Sequence, residues 1–257
     1  MSFSLLIGTL GLITGFLSGL LGIGGGIIMA PLLLYVPPLL GFAALPMKMV
    51  AGLTIVQGLV AALAGGWAHR QFKFVSSRLS ICMGVSIFIA SLFGAASARF
   101  VSNHILVFVF ASLAFVAALL MFVPMHQDSE RPDVNLLRFS RIRAVLAASV
   151  VGLFGGLVGQ GGSFILIPLM TSYVRIPTRI AIGSNLGIVL ISCVAGFIGK
   201  AVTGQIEWLL TIPVILTVVP AAILGAKISN RSPVKNLRRI LAILIALVAV
   251  RMWLSLL

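Results

Sequence analysis

Eight apolar runs, each at least about as long as a bilayer is thick, leave this chain little room for anything else. They are drawn at about 4–36, 46–68, 79–100, 103–124, 144–174, 178–200, 207–228 and 237–256 of 257 residues. Charged residues make up only 9% of the chain. An average soluble domain carries about 25%. So few charges cannot coat a water-soluble sphere, and the expected fold is an all-α, polytopic helical membrane protein.

The charge that remains is lopsided, 18 basic residues against 4 acidic, a formal net charge of +14. Such an excess invites a nucleic-acid reading. The cations, however, form no stripe or tail. They sit in short clusters between apolar runs: Arg70, Lys73 and Arg78; Arg131, Arg138, Arg141 and Arg143; Arg231, Lys235, Arg238 and Arg239. Cytoplasmic loops of membrane proteins look like this, so the partner is a lipid bilayer and not a nucleic acid. Cys82 and Cys193 lie inside apolar runs and read as small buried hydrophobes. His69, His104 and His126 are scattered, and the sequence implies no metal or cofactor. The first apolar run lacks a basic leader and a small-residue cleavage site, so it reads as a retained membrane segment.

The chain also says the same thing twice. A polar connector, 125–143, holds Asp128, Glu130, Pro132 and Asp133 and separates a first repeat (1–124) from a second (144–257). Gly15, Gly19, Gly22, Gly24, Gly25 and Pro31 recur 137 positions later as Gly152, Gly156, Gly159, Gly161, Gly162 and Pro168. After a shorter connector the offset becomes 131. It then relates Pro46 to Pro177, Lys48 to Arg179, Gly52 to Gly183, Gly65 to Gly196, His69 to Lys200 and Gly94 to Gly225.

Charge counting bears on whether the repeats are parallel or inverted. With eight plain crossings the basic residues divide nine and nine between the two sides. If 144–174 instead dips in and returns to its own face, fourteen gather on one side. Four (Lys48, Arg99, Lys200 and Arg251) remain on the other. That bias is the expected one for cytoplasmic loops. By repeat symmetry 4–36 is then re-entrant too, each half has three crossings plus a hairpin, and the halves are inverted. Long tilted helices are the competing explanation.

Two glycine-rich stretches carry the strongest local signal. Gly15–Pro31 contains the run Gly24-Gly25-Gly26, and Gly152–Pro168 contains Gly159-Gln160-Gly161-Gly162-Ser163. The Gly15/Gly19 and Gly152/Gly156 spacings let helices approach closely. The runs are another matter, because successive weak helix formers break a helix. Broken backbone in a membrane survives only where protein buries it or where it lines a cavity. The N–H groups that open the next half-helix favour an anion. Close packing alone is the alternative.

Two further stretches occupy equivalent places. Pro46-Met47-Lys48 through Gly52-Leu53-Thr54 aligns with Pro177-Thr178-Arg179 through Gly183-Ser184-Asn185. Each starts a helix with proline and continues into small polar residues. Thr54, Gln57, Ser184 and Asn185 are candidate donors to an oxyanion. Lys48 and Arg179 oppose the helix dipole where they stand; each either snorkels to a lipid headgroup or attracts the anion. Gln160 replaces Ile23 of the first stretch, so the two breaks differ chemically. Trp67 and Trp208 read as interfacial anchors. Glu207 is the one acid outside the connector, so no buried carboxylate serves as a proton relay. Ser184 has no His or Asp with which to build a nucleophile, and an enzyme is not expected.

At these glycine stretches and at Ile182-Gly183-Ser184-Asn185 the chain resembles the TauE/SafE family, the sulfite and organosulfonate exporters, over essentially its whole length. The resemblance implies a multi-pass transporter of the bacterial plasma membrane that exports small sulfur-containing oxyanions such as sulfite or sulfoacetate. The first half departs from the pattern at Leu53, where Ser184 stands in the second. Coupling to protons and assembly as a homodimer are both compatible with the resemblance.

Overall fold

The computed structural model describes residues 2–21, 26–68, 76–122, 137, 139–229 and 234–254. These form ten α-helices with no strand among the described residues. In order they are α1 (Phe3–Leu21), α2 (Gly26–Leu39), α3 (Met47–Ala68), α4 (Ser77–Ser97), α5 (Asn103–Phe122), α6 (Arg141–Leu157), α7 (Ser163–Ser172), α8 (Thr178–Val202), α9 (Trp208–Ser229) and α10 (Val234–Leu254). Among the described residues, six stretches of helix are long and apolar enough to cross a membrane: Phe3–Leu21, Met47–Ala64, Ser77–Phe100, Asn103–Leu120, Ser184–Val202 and Trp208–Ser229. The chain is a multi-pass membrane protein.

Local signals set the helix starts. The Ser76 hydroxyl accepts the Leu79 N–H at the head of α4, and the Ser140 hydroxyl accepts that of Arg143 at the head of α6. Both are side-chain N-caps. Pro46 and Pro177 precede α3 and α8, where a missing N–H costs nothing; each carbonyl accepts an N–H from the first turn. The sorting of side chains is that of a membrane protein. Ile81, Phe93, Leu216 and Leu224 are exposed, whereas Thr14, Thr54, Gln57, Ser91, Gln160, Ser184, Asn185, Ser192 and Lys200 are buried. A lipid bilayer accounts for the exposed apolar belt.

Helix pairings come in reciprocal sets. α1 packs on α9 as α6 packs on α4; α3 meets α9 as α8 meets α4; α2 meets α10 as α7 meets α5. α3 with α8 and α5 with α10 complete the set. Glycines make the closest approaches. A Cβ on Gly15 would lie 2.9 Å from Val218 Cα, and one on Gly152 would lie 2.8 Å from the Ile87 carbonyl oxygen. On Gly19 it would strike the carbonyl of Ala222, and on Gly156 that of Ser91. Gly225 meets the Phe16 carbonyl as Gly94 meets that of Leu153. Every one of these pairs maps onto its counterpart by the offsets 137 and 131.

Each of the paired hairpins, α1–α2 and α6–α7, begins and finishes at its own end of the bundle. The Phe3 ring, opening α1, lies 5.3 Å from that of Phe42, just past α2. The Arg143 guanidinium, opening α6, lies 5.9 Å from the Tyr173 ring, just past α7. The end that holds Phe3 also holds the four cations set apart by charge counting. Lys48 Nζ donates to the Arg99 carbonyl at 2.8 Å, and Lys200 Nζ donates to Gln205, whose amide reaches the Ala95 carbonyl. Arg251 stacks 4.1 Å over the Tyr35 ring near the end of α2.

Candidate functional site

The second glycine run forms a turn between α6 and α7. Gly159, Gly161 and Gly162 have φ of 77°, 59° and 68°, the left-handed region that side chains avoid. The turn is held by its own backbone, with Gln160 N–H donating to Gly155 O at 2.8 Å and Gly159 N–H to Gly156 O at 3.2 Å. Gly162 opens α7 with no side chain capping it. The left-handed glycines let the chain double back so tightly that Gly162 lies against Gly155.

The tip of this hairpin is pressed against α3. Gly159 abuts the Ala51 carbonyl. The Thr54 hydroxyl donates to Gly159 O at 2.9 Å, with Ala51 O as a second acceptor at 3.2 Å. Its single proton is therefore used to fix the hairpin. Gln57, one turn further along α3, is wholly buried. Gln160 is 1% exposed, and its Cγ would lie 3.2 Å from a Cβ placed on Gly26, the first residue of α2. The start of one half-helix thus meets the turn of the other hairpin. On the far side, a Cβ on Gly161 would meet Cys193 Sγ at 2.8 Å and Ser192 Oγ at 3.5 Å, both on α8.

Here the polar bookkeeping fails to close. Both amide atoms of Gln57, both of Gln160 and the Ser192 hydroxyl are buried with no hydrogen-bond partner among the described residues. A buried polar group left unpaired costs about 1–3 kcal/mol. Gln160 lies in the turn itself, Ser192 lies beside Gly161, and Gln57 is one helical turn from Thr54, which bonds Gly159. Ser192 was not singled out from the sequence. Its signal was present, since Ser192 is a polar residue inside an apolar run, one turn of α8 before Gly196.

The other expected residues fall as follows. Ser184 is buried and its Oγ accepts the Ser76 N–H at 3.1 Å, which leaves its proton for another acceptor. Asn185 is buried beside it. Lys48 is partly exposed, and its backbone N–H donates to Asn103 Oδ1 at 3.1 Å. Gly24 and Gly25 lie outside the described residues. The backbones of Ser163 and Arg179 stand in the first turns of α7 and α8, and their side chains lie outside the description. Trp208 is exposed at the head of α9 and packs edge-on at 6.1 Å against Phe197. Lys200 differs from its expected place. Charge counting treats it as a loop cation, but α8 runs on to Val202 and buries it completely.

The chain is similar along nearly its whole length to several known proteins. A probable membrane transporter protein of Bacillus subtilis, YunE, is 25% identical over 96% of both chains. One of Haemophilus influenzae is 25% identical over 99% of both. MJ0441 of Methanocaldococcus jannaschii, likewise named a probable membrane transporter protein, is 25% identical over 90% of this chain and 88% of its own. No solved structure matches the chain. Residues 7–252 match the family described as Sulfite exporter TauE/SafE, so the chain belongs to that family of membrane transporters.

Proposed function

We propose that this transporter exports a small sulfur-containing oxyanion, sulfite or an organosulfonate such as sulfoacetate, from a site at the Gly159–Gly162 turn. The observation that carries this reading is the set of unpaired buried side chains there, Gln57, Gln160 and Ser192. Two amides and the Ser192 hydroxyl supply several donors to an oxyanion, and Ser184 stands about 12 Å further along α8 on the anion's path. The uncapped N-terminus of α7, opening at Ser163, adds N–H groups and the positive end of a helix dipole. Gly26, at the head of α2, brings the corresponding end of the first hairpin to Gln160. Asn185 completes the lining, Gly24 and Gly25 belong to it by repeat symmetry, and Lys48 and Arg179 attract the anion toward the mouths. No carboxylate is among these residues, and a carboxylate is what would repel an anion.

The two halves are read as inverted repeats, with the end bearing fourteen basic residues in the cytoplasm. Supporting this are the reciprocal helix pairs and the two hairpins that open at opposite ends. A membrane potential, negative inside, favours loss of an anion by about 2.3 kcal/mol per charge per 100 mV. That supports export without a buried carboxylate, with proton coupling as a further possibility for the kinetics to decide.

The test is efflux of radiolabelled sulfite from proteoliposomes, wild type against Gln160→Ala and Asn185→Ala. Flux above empty liposomes that falls at least tenfold in both variants is the expected result. Wild-type flux no greater than the empty control removes sulfite as the substrate and turns the assay to organosulfonates and other small organic anions. Failure across that panel favours a non-transporting membrane module. Accessibility of single cysteines placed at Arg131 and Arg175 tests the topology: labelling from opposite faces breaks the inverted arrangement.

A further inference from the structure

A lysine is buried where the mechanism above makes no use of it. Lys200 is fully buried near the end of α8. Its Nζ donates to the Gln205 side-chain oxygen at 3.2 Å and to the Leu157 carbonyl at 3.4 Å. Both distances exceed the roughly 2.7–2.9 Å of a strong charge-assisted bond, and both partners are neutral. No carboxylate pairs with it among the described residues, and the nearest acid in sequence, Glu207, is exposed. Burying an ammonium costs several kcal/mol even after relaxation, and two weak carbonyl contacts leave much of that uncompensated. An ammonium has three protons, so one remains for a third acceptor.

Its placement gives that third proton a use. Leu157 is the last residue of α6, two before Gly159. Lys200 therefore hangs over the tip of the hairpin, on the side facing the end that holds Lys48. Ser192, Gly196 and Lys200 stand in line on α8, and Gly196 is closed over by Ile55 and Ser91. Above them Gln205 is pinned: its side-chain amide donates to Ala95 O at 3.0 Å and to Thr203, and its backbone carbonyl rests on Gly52. Lys200 thus lies between the unpaired amides and the end of the bundle away from the basic loops, tied to a plug that joins the starts and ends of α3, α4, α6 and α8.

Building on the anion-export reading, we propose that Lys200 is a specificity-determining cation on the exit side of the site. The departing anion takes its third proton, and the ammonium exchanges the Leu157 and Gln205 oxygens for an anion oxygen as the plug opens. The residue then selects for charge on the substrate, a task the neutral amides at the turn cannot perform.

Lys200→Met and Lys200→Arg proteins, purified and reconstituted, test this in two readouts: efflux KM for sulfite and for sulfoacetate, and thermal unfolding in detergent. Replacing an unpaired buried charge by a matched apolar side chain is commonly neutral or stabilising. The expected result is a Lys200→Met protein with a Tm no lower than wild type and a KM raised at least tenfold, with Lys200→Arg closer to wild type. Wild-type flux together with an unchanged KM in Lys200→Met overturns the role of Lys200 and leaves the export reading intact. A Lys200→Met protein that is both inactive and less stable makes the residue a structural cap of α6 and also overturns it. If the wild type moves neither anion, the export reading fails first and this inference falls with it.

Discussion

The two hairpins share a scaffold and differ in chemistry. Their outer faces are equivalent to the residue: Gly15 and Gly19 pack on α9 as Gly152 and Gly156 pack on α4. Their polar surroundings are not. Ile23 in the first hairpin corresponds to Gln160 in the second, and across the pseudo-symmetry Leu53 faces Ser184, Thr54 faces Asn185, Gln57 faces Ile188 and Ala61 faces Ser192. Packing depends on the shape of a helix surface, which duplication copies and any change disrupts on both sides alike. A binding site needs only one set of donors, so the second copy of each is free to change. The glycine contacts therefore recur in both halves while the buried amides do not, Gln57 coming from α3 and Gln160 from the α6–α7 turn.

The largest effect is expected where the frame is tightest. Gly19→Val and Gly156→Val each force a side chain into a helix carbonyl and should cost about 3 kcal/mol, seen as a lowered Tm in detergent. Equal losses support the shared frame; a loss confined to one hairpin breaks it. Next comes the pocket. Gln57→Leu removes a buried unpaired amide, so it should leave stability unchanged or raise it by about 1 kcal/mol while sulfite efflux falls at least tenfold. Ile188→Gln, its symmetry mate, should leave efflux near wild type, and comparable losses at the two positions would make the pocket symmetric after all. Thr54→Val is expected to cost about 1 kcal/mol through its bond to Gly159, with a smaller fall in flux than Gln57→Leu. The smallest change belongs to Ile23→Gln, which should reproduce little of what Gln160 does, read as flux within about twofold of wild type if the two breaks are chemically distinct.

Much of this was legible before any coordinates. The glycine spacings announced close helix contacts. Four of the buried polar side chains, Gln57, Gln160, Ser184 and Asn185, stood out because polar residues inside apolar runs are costly. Thr54 illustrates the limit. Its residue type suits an oxyanion donor, yet its proton is spent on the Gly159 carbonyl. Lys200 illustrates it from the other side. A cation at the edge of an apolar run resembles a loop residue until the last turn of the helix is seen to close over it.

The sequence by itself determined the class of molecule, its helices and the residues too polar for lipid. Those follow from composition and period, which are properties of the chain read along its length. Only the tertiary structure decided which of these polar residues are satisfied. Hydrogen bonds reach across distant segments, from Thr54 to Gly159 and from Ser76 to Ser184, so no local reading can show which donors are left over. It is those leftovers (Gln57, Gln160, Ser192 and the third proton of Lys200) that locate the proposed path of the anion.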